Sequence, residues 1–309
     1  MPSTKYFSPD QFPLLIDGGL SNVLEGQGHN LNHTLWTARL LDQNPEAIIQ
    51  AHLAYLEAGA QCITTASYQA SLPGFMEAGY YPTKAIHLIR KSVDLAEAAI
   101  QQFLEKYPDA PRPLIAASIG PYGAYLADGS EYHGNYGLSK ADLWKFHKER
   151  IQLLADTPAD LLAVETIPSY TEAGAMAQLL TSVKKPSWVS FSCKDETHIN
   201  DGTELEKVVS LFKDHSGVFA LGANCTKPKY ISGIIRELKT SGMPQKIIVY
   251  PNSGEAYHVQ TKTWLGLSEP LSFGEMAQAW LTEGADIIGG CCRIGPDHIN
   301  QVKEVLSKK

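Results

Sequence analysis

The chain has 309 residues, with 26 basic against 33 acidic side chains and a formal net charge of −7. An acidic chain without basic runs is unsuited to bind nucleic acid or an anionic membrane surface, and no apolar run is long enough to cross a bilayer. The first thirteen residues contain no apolar signal-peptide core. We therefore expect a soluble, cytoplasmic protein whose five cysteines are thiols rather than disulfides.

Short apolar segments recur along the chain, each bounded by turn residues and separated from the next by a longer stretch. Because they are apolar on successive residues rather than on alternate ones, they are typical of parallel strands that are covered on both faces. The eight predicted strands are residues 14–17, 61–65, 114–118, 161–165, 187–192, 218–224, 247–250 and 285–289.

The stretches between the predicted strands have the apolar periodicity and the end signals of helices. Asn44 is a cap residue followed by Pro45, and Asp142 stands at the third helical position after Ser139, which predicts a capping box. The eight predicted helices are residues 44–58, 82–106, 139–155, 169–184, 203–213, 228–241, 272–284 and 296–307.

A strand followed by a helix thus repeats eight times over nearly the whole chain. With right-handed crossovers this pattern predicts a (β/α)8 TIM barrel that forms a single domain over residues 1–309. A doubly wound open sheet is the alternative, but eight consecutive units without a break favour the closed barrel. Two loops, residues 120–138 and 252–271, are longer than a barrel needs and follow strand ends, so each is either a cover over the site or surface elaboration.

Polar residues stand at the carboxyl ends of the predicted strands, where the active sites of barrels lie. Asp17 ends the first strand and Glu165 the fourth, whereas Cys225 follows the sixth strand and Cys291 and Cys292 follow the eighth. Three thiolates with an open fourth position are typical of a catalytic zinc site. Each cysteine alone is better explained as a small buried core residue, but three at one end of the barrel predict bound Zn²⁺.

Adjacent cysteines point to opposite faces of a regular strand, so both can reach one metal only if the backbone turns. Gly289 and Gly290 precede the pair and allow such a turn. A zinc ion with three thiolates is electron-rich and a weak Lewis acid toward water, which argues against hydrolysis. It is suited to bind a substrate thiol as a nucleophilic thiolate at neutral pH.

Three other classes of function compete with this interpretation. A phosphate-binding barrel lyase would use Gly289 and Gly290 as a phosphate turn and Lys194 for a Schiff base. A metal hydrolase is disfavoured because the sequence contains no His-x-His pair. A non-enzymatic zinc protein would normally have a closed site with four ligands, and only three are found here.

Seven short motifs carry a resemblance to a known family. They are Asp-Gly-Gly at 17–19, Thr-Ala-Ser-Tyr-Gln at 65–69, Ser-Ile-Gly-Pro-Tyr-Gly-Ala at 118–124, Glu-Thr at 165–166, Asn-Cys at 224–225, Tyr-Pro-Asn-Ser-Gly-Glu at 250–255, and Gly-Gly-Cys-Cys-Arg at 289–293. With these motifs in this order, the whole chain resembles the homocysteine S-methyltransferases, especially the cobalamin-independent branch that uses S-methylmethionine. The resemblance implies a (β/α)8 barrel with three zinc-binding cysteines, which agrees with the interpretation made from the residues.

The resemblance also implies how the substrates are held. It makes Cys225, Cys291 and Cys292 the zinc ligands and assigns Asp17 and Glu165 to the ammonium group of homocysteine. It places three further residues near the substrate carboxylate, namely Gly18, Ser67 and Asn224.

The implied reaction is methyl transfer from a sulfonium donor to the thiol of L-homocysteine, which gives methionine. S-methylmethionine is the expected donor, S-adenosylmethionine a slower one, and betaine the alternative. The sulfonium is a cation, so we expect the rings of Tyr122 and Tyr125 to contact it. The partners are then small molecules, and no obligate protein partner is expected.

Overall fold

The computed structural model describes residues 12–258, 263–265 and 272–308, with the backbone only for 256–258 and 263–265. Eight parallel strands form one sheet in the spatial order β1-β10-β7-β6-β5-β4-β3-β2. They are β1 (Leu14–Leu15), β2 (Cys62–Thr64), β3 (Leu114–Ile119), β4 (Leu161–Ile167), β5 (Ser187–Phe191), β6 (Val218–Asn224), β7 (Lys246–Tyr250) and β10 (Ile287–Ile288). A separate antiparallel pair, β8 (Ala256–His258) and β9 (Thr263–Leu265), lies within the second long loop.

The first and second strands close the sheet into a barrel. Ile16 forms a parallel bridge with Cys62, the amide of Gln61 donates to the carbonyl of Leu15 at 2.8 Å, and the amide of Asp17 donates to the carbonyl of Cys62 at 3.0 Å. The (β/α)8 barrel predicted from the sequence is therefore confirmed, and the open sheet is excluded.

All eight predicted helices are present. They are α3 (Pro45–Ala58), α5 (Pro82–Lys106), α7 (Lys140–Ala155), α8 (Tyr170–Leu180), α9 (Leu205–Val209), α10 (Pro228–Thr240), α11 (Phe273–Glu283) and α12 (Pro296–Leu306). Four short helices that the sequence analysis did not predict lie in the connections, namely α1 (Leu20–Gly26), α2 (Leu40–Gln43), α4 (Leu72–Glu77) and α6 (Tyr122–Leu126). None of the described helices is both long and apolar enough to span a bilayer.

The helix ends follow from the local sequence. The side chain of Asn44 accepts a hydrogen bond from the amide of Ala47 at 3.3 Å, and Gly59 ends the same helix with a φ of +113°, a conformation that glycine adopts without strain. Ser139 and Asp142 form the predicted capping box at the start of α7. Such caps pair backbone groups that would otherwise lack partners.

Apolar side chains fill the barrel interior and leave its carboxyl-terminal end open. Trp188 is fully buried there, and its indole Nε1 donates to the hydroxyl of Tyr250 at 3.1 Å. A larger apolar layer separates the sheet from the surrounding helices. Since the interior is packed, a substrate is accommodated at the carboxyl ends of the strands.

Candidate active site

The three cysteines predicted as metal ligands come together at the carboxyl end of the barrel. Their Sγ atoms all lie within 4.8 Å of one another, and those of Cys225 and Cys292 are 3.5 Å apart. None of the five cysteines, all of which lie in the described residues, forms a disulfide. Three thiols at this spacing can bind one metal ion and leave a coordination position for a substrate.

The backbone around Cys225 is held in an uncommon conformation. Its φ of +47° lies in the left-handed region, which non-glycine residues rarely adopt. Its amide donates to the carbonyl of Tyr250 at 3.2 Å, and its carbonyl accepts from Nδ2 of Asn252 at 3.1 Å. These bonds to the end of β7 fix the direction of the cysteine side chain.

The two glycines before Cys291 act through their lack of a side chain. Neither has a positive φ, which differs from the simple turn expected from the sequence. A Cβ at Gly289 would lie 2.3 Å from Cγ1 of Ile16, and one at Gly290 would lie 2.1 Å from Cγ2 of Ile294. The amide of Gly290 donates to the carbonyl of Asp17 at 2.9 Å. The two glycines thus allow the backbone to pack closely against the neighbouring chain just before the cysteine pair.

Asp17 and Glu165 are both buried and line the same cavity as the cysteines. Asp17 accepts hydrogen bonds from the amide of Thr64 at 2.8 Å and from its hydroxyl at 3.1 Å. Burial, with a smaller contribution from the charge on Glu165, raises the pKa of Asp17 well above its usual value.

Glu165 accepts a hydrogen bond from the hydroxyl of Ser118, and the hydroxyl of Tyr250 also bonds it. Burial raises the pKa of Glu165 to about 7 in spite of these two bonds. Two buried carboxyl groups that share a cavity are suited to hold a cation, because a cation would favour their ionised forms.

The cavity has a volume of about 330 Å³, at the small end of the range of ligand pockets. Aromatic side chains in its wall include Trp36, Tyr68 and Tyr132. Its charged lining is acidic, since four carboxylates face a single cationic side chain within the described residues. The carboxylates are Asp17, Glu25, Glu131 and Glu165, and the cation is Arg293.

Gly18 lines the cavity as the sequence predicts, whereas Ser67 and Asn224 do not. The hydroxyl of Ser67 donates to the carbonyl of Ser118 at 2.7 Å. Oδ1 of Asn224 accepts from the amide of Thr166 at 2.7 Å, and its Nδ2 lies 3.8 Å from Sγ of Cys291. In the structure, both side chains hold strand ends and a cysteine in place behind the lining.

The structure does not bring Tyr122 and Tyr125 to the cavity. Both lie in α6, and their rings pack against Phe146 with centroids 4.8 and 5.4 Å away. The hydroxyl of Tyr125 donates to Glu77 at 2.5 Å. The short helix α6, which was not predicted, directs these rings toward α7, so the expected contact with a sulfonium has no support in the structure.

Glu131 and Tyr132 lie in the first long loop and line the cavity. The sequence indicated Tyr132 only as one of several aromatic residues of a loop that could form a substrate wall, and Glu131 was missed. The hydroxyl of Tyr132 is 3.7 Å from Sγ of Cys225. Burial is the main cause that raises the pKa of Glu131, to about 7. The sequence signals were the unusual length of the loop and its aromatic residues, and the structure shows that the loop forms part of the cavity wall.

The second long loop is only partly described. Its residues 259–262 and 266–271 lie outside the described residues, so the prediction that it covers the site stays open. Lys194, which a Schiff-base mechanism would need, is not among the residues that line the cavity.

The chain is similar to known proteins over nearly its whole length. A family model described as homocysteine S-methyltransferase matches residues 14–306. The homocysteine S-methyltransferase YbgG of Bacillus subtilis is 46% identical over 298 residues, which cover 95% of this chain and 94% of that protein. The homocysteine S-methyltransferase of Escherichia coli is 43% identical, with 94% of each chain covered.

Solved structures show the same similarity. The metallated form of the homocysteine methyltransferase MmuM from Escherichia coli superposes with a TM-score of 0.84 at 41% identity, covering 94% of this chain and 95% of that one. Its oxidised form gives a TM-score of 0.86 at 40% identity, covering 97% and 98%.

Proposed function

Because this chain belongs to the homocysteine S-methyltransferase family, we propose that it transfers a methyl group from a sulfonium donor to L-homocysteine, which gives methionine. The observation that carries the proposal is the convergence of three cysteine sulfurs and two buried carboxylates on one cavity. The cysteines suit the thiol of the acceptor, and the carboxylates suit its ammonium group.

The donor set of the cysteine cluster fits zinc. Three sulfur ligands within 4.8 Å of one another favour a soft or borderline metal, and a set of three leaves the open position of a catalytic site. Cys225, Cys291 and Cys292 would hold the ion. When bound, zinc lowers the pKa of a coordinated thiol, so that homocysteine is a thiolate at neutral pH.

Asp17 and Glu165 orient the acceptor. These two buried carboxyl groups can form ion pairs with the ammonium group of homocysteine, and binding of this cation lowers the pKa of both. Gly18 lines the same cavity and directly follows Asp17 in the chain. Its backbone can therefore contact the carboxylate of a substrate whose ammonium group is held by Asp17. The amino-acid part of homocysteine is thereby fixed relative to the cysteines, and positioning of this kind supplies much of the rate.

The acidic lining of the cavity favours a cationic donor. The thiolate attacks the methyl carbon in line with the sulfonium sulfur, the carbon–sulfur bond of the donor breaks, and its electron pair stays on the departing sulfur. The departing thioether is neutral, so the reaction needs no general acid. We propose S-methylmethionine as the preferred donor and S-adenosylmethionine as a slower one.

The charge of the cavity also argues against a phosphate-binding lyase. Four carboxyl groups and a single arginine offer an anionic substrate only one cationic partner among the described lining residues, and Lys194 is not one of these residues. Betaine, however, carries a quaternary ammonium, which the same lining would accept. An assay is therefore needed to distinguish betaine from the sulfonium donors.

The test is an assay of the purified, zinc-containing protein with homocysteine and one donor at a time, each with a deuterated transferable methyl group. Mass spectrometry then detects labelled methionine. We expect labelled methionine with S-methylmethionine, less with S-adenosylmethionine and none with betaine. Failure of all three donors in protein that contains one zinc ion per chain would overturn the proposal.

A further inference from the structure

Two residues that line the cavity each have a buried side-chain oxygen without a hydrogen-bond partner. These atoms are Oε2 of Glu131 and Oε1 of Gln69. Among the described residues that line this cavity, no other buried side-chain nitrogen or oxygen lacks a partner. Both atoms are acceptors, and an unpaired buried acceptor is costly to the folded protein unless a ligand compensates it.

The orientation of the Gln69 amide is determined by its neighbours. Its Nε2 donates to the carbonyl of Thr34 at 3.0 Å and to the carbonyl of Ala124 at 2.5 Å. Two carbonyl oxygens can only accept, so the nitrogen must face them and Oε1 must be the atom that is left unpaired. The side chain thereby links the segments that contain Thr34 and Ala124 and leaves Oε1 as an unpaired acceptor beside them.

The backbone of Glu131 is also fixed. Its carbonyl accepts from the hydroxyl of Ser192 at 3.2 Å, and its amide packs so closely against Gly123 that a Cβ there would lie 2.3 Å from the nitrogen. The next residue, Tyr132, contacts Sγ of Cys225. Glu131 is therefore held in the cavity wall next to the residue that touches a proposed metal ligand.

Glu131 differs from the two carboxylates assigned to the acceptor. Asp17 and Glu165 lie at strand ends and accept hydrogen bonds from neighbouring side chains. The carboxyl group of Glu131 instead bonds its own backbone amide, and its Oε2 has no partner. A methyl-bearing sulfonium has no N–H or O–H group to donate, so what it needs from the protein is an opposite charge that is not already paired.

We propose that Glu131 is the counter-charge for the sulfonium centre of the methyl donor and thereby determines the specificity for a cationic donor. The inference rests on the proposed methyl transfer. It also assigns Oε1 of Gln69 as a second acceptor for the polarised methyl groups of the same cation.

The reaction itself predicts how Glu131 acts. A thiolate and a sulfonium become two neutral thioethers, so the positive charge on the donor decreases as the methyl group moves. A fixed carboxylate therefore stabilises the bound donor more than it stabilises the transition state. Removing its charge should raise the KM for the donor without lowering kcat.

The first experiment compares Glu131→Gln with a control variant from the same loop, Asp128→Asn. Asp128 is exposed and does not line the cavity, and its Oδ1 accepts from the amide of Ser130 at 2.9 Å, a bond that asparagine retains. Because the lost interaction is a charge–charge attraction, we expect Glu131→Gln to raise the KM for S-methylmethionine at least about tenfold, with the KM for homocysteine and kcat not impaired. The charge of Asp128 makes only a minor contribution to the raised pKa of Glu131, so Asp128→Asn should change all three far less.

The second experiment measures binding without turnover. Calorimetry in the absence of homocysteine compares 3-(dimethylsulfonio)propanoate with 4-methylpentanoate, in which a neutral carbon replaces the sulfonium sulfur. Neither ligand has an amino group, so only the charge at the methyl-bearing centre differs. The wild-type protein should prefer the sulfonium, and Glu131→Gln should lose most of this preference.

The outcomes separate the two proposals. An unchanged donor KM in Glu131→Gln, or an unchanged preference for the sulfonium ligand, overturns the role of Glu131 while methyl transfer by the wild-type protein stands. Absence of methyl transfer by the wild-type protein overturns the proposed function instead. If Glu131→Gln does not fold, calorimetry on the wild-type protein still tests the inference. Equal binding of the sulfonium ligand and its neutral carbon analogue would contradict it.

Discussion

The hydroxyl of Tyr132 lies 3.7 Å from Sγ of Cys225, which joins the loop after β3 to the cysteine cluster at the end of β6. Through this contact, one wall of the cavity and the proposed metal site form a continuous surface. Glu131 precedes Tyr132 in the same loop. The loop therefore connects the proposed binding site of the acceptor sulfur to the carboxylate proposed to recognise the donor.

Each of the substitutions Cys225→Ala, Cys291→Ala and Cys292→Ala should abolish stoichiometric metal binding, since two thiolates cannot complete the site. Metal analysis of the purified variants measures this loss. Cys193→Ala is the control, because Cys193 is also buried but its Sγ lies 3.9 Å from the carbonyl of Phe191, outside the cluster. Full metal content in any of the first three variants would remove that cysteine from the ligand set.

Glu165→Gln should weaken homocysteine binding and leave the metal in place. A charge-assisted hydrogen bond contributes roughly 1.5–3 kcal/mol, so the dissociation constant should rise at least about tenfold. The control is Glu25→Gln, which removes an exposed carboxylate from the same cavity lining and should change the constant little. Equal effects of the two substitutions would show that only the overall charge of the cavity matters.

His52 should make the protein less stable in acid. Burial lowers its pKa from 6.5 to about 4, and neither ring nitrogen has a hydrogen-bond partner. Between pH 6.5 and 4 the His52 imidazole is protonated in the unfolded chain but stays neutral in the folded protein. The free energy of unfolding therefore falls as the pH drops from 6.5 to 4. The largest contribution that this shift allows is about 3 kcal/mol.

The substitution His52→Leu, which removes the titrating ring, should reduce the loss of stability between pH 6.5 and 4. Urea unfolding at a series of pH values measures the effect. His87→Leu is the control, because His87 is exposed on α5 and its replacement should leave the slope unchanged. A slope in His52→Leu equal to that of the wild-type protein would contradict the prediction.

Gly222 should be intolerant of any side chain. A Cβ at this position in β6 would lie 1.7 Å from the carbonyl oxygen of Ile248 in β7, so Gly222→Ala should destabilise the barrel by about 3 kcal/mol or more. Gly26→Ala is the matched control, since nothing lies within 4 Å of a Cβ there and alanine suits the end of α1. Denaturant unfolding should show a gain of about 0.5 kcal/mol for this variant, and similar losses for both would refute the steric argument.

The barrel was predictable because its signals are local. An apolar run such as that in β6, and a capped helix such as α7, show their periodicity within a short stretch of sequence. The helices α1, α2, α4 and α6, which were missed, have seven residues or fewer and show little of a periodic pattern. The equally short α9 was predicted, but as the longer segment 203–213. Their positions depend on packing against the barrel.

The metal ligands were predictable for a related reason, because parallel strands bring their carboxyl ends to one place. Which side chain of a strand end faces the cavity was harder to predict. Ser67 and Asn224 are neighbours of the cavity residues Tyr68 and Cys225, and a shift of one residue reverses the direction of a side chain. Loop residues such as Glu131 and Tyr125 follow a path set by tertiary contacts, which no local pattern reveals.

The cysteine site is proposed to hold the thiol of homocysteine as a thiolate. A free thiol has a pKa of about 8.5, so binding near neutral pH should release close to one proton when the metal is present. Calorimetry in buffers of different ionisation enthalpy measures this release. The metal-stripped protein retains Asp17 and Glu165, so its proton release measures their contribution and is subtracted.

We predict a difference of close to one proton between the metal-containing and the metal-stripped protein. Equal release by both forms would mean that the metal does not activate the thiol, and the proposed chemistry would fall even though the fold and the family stand.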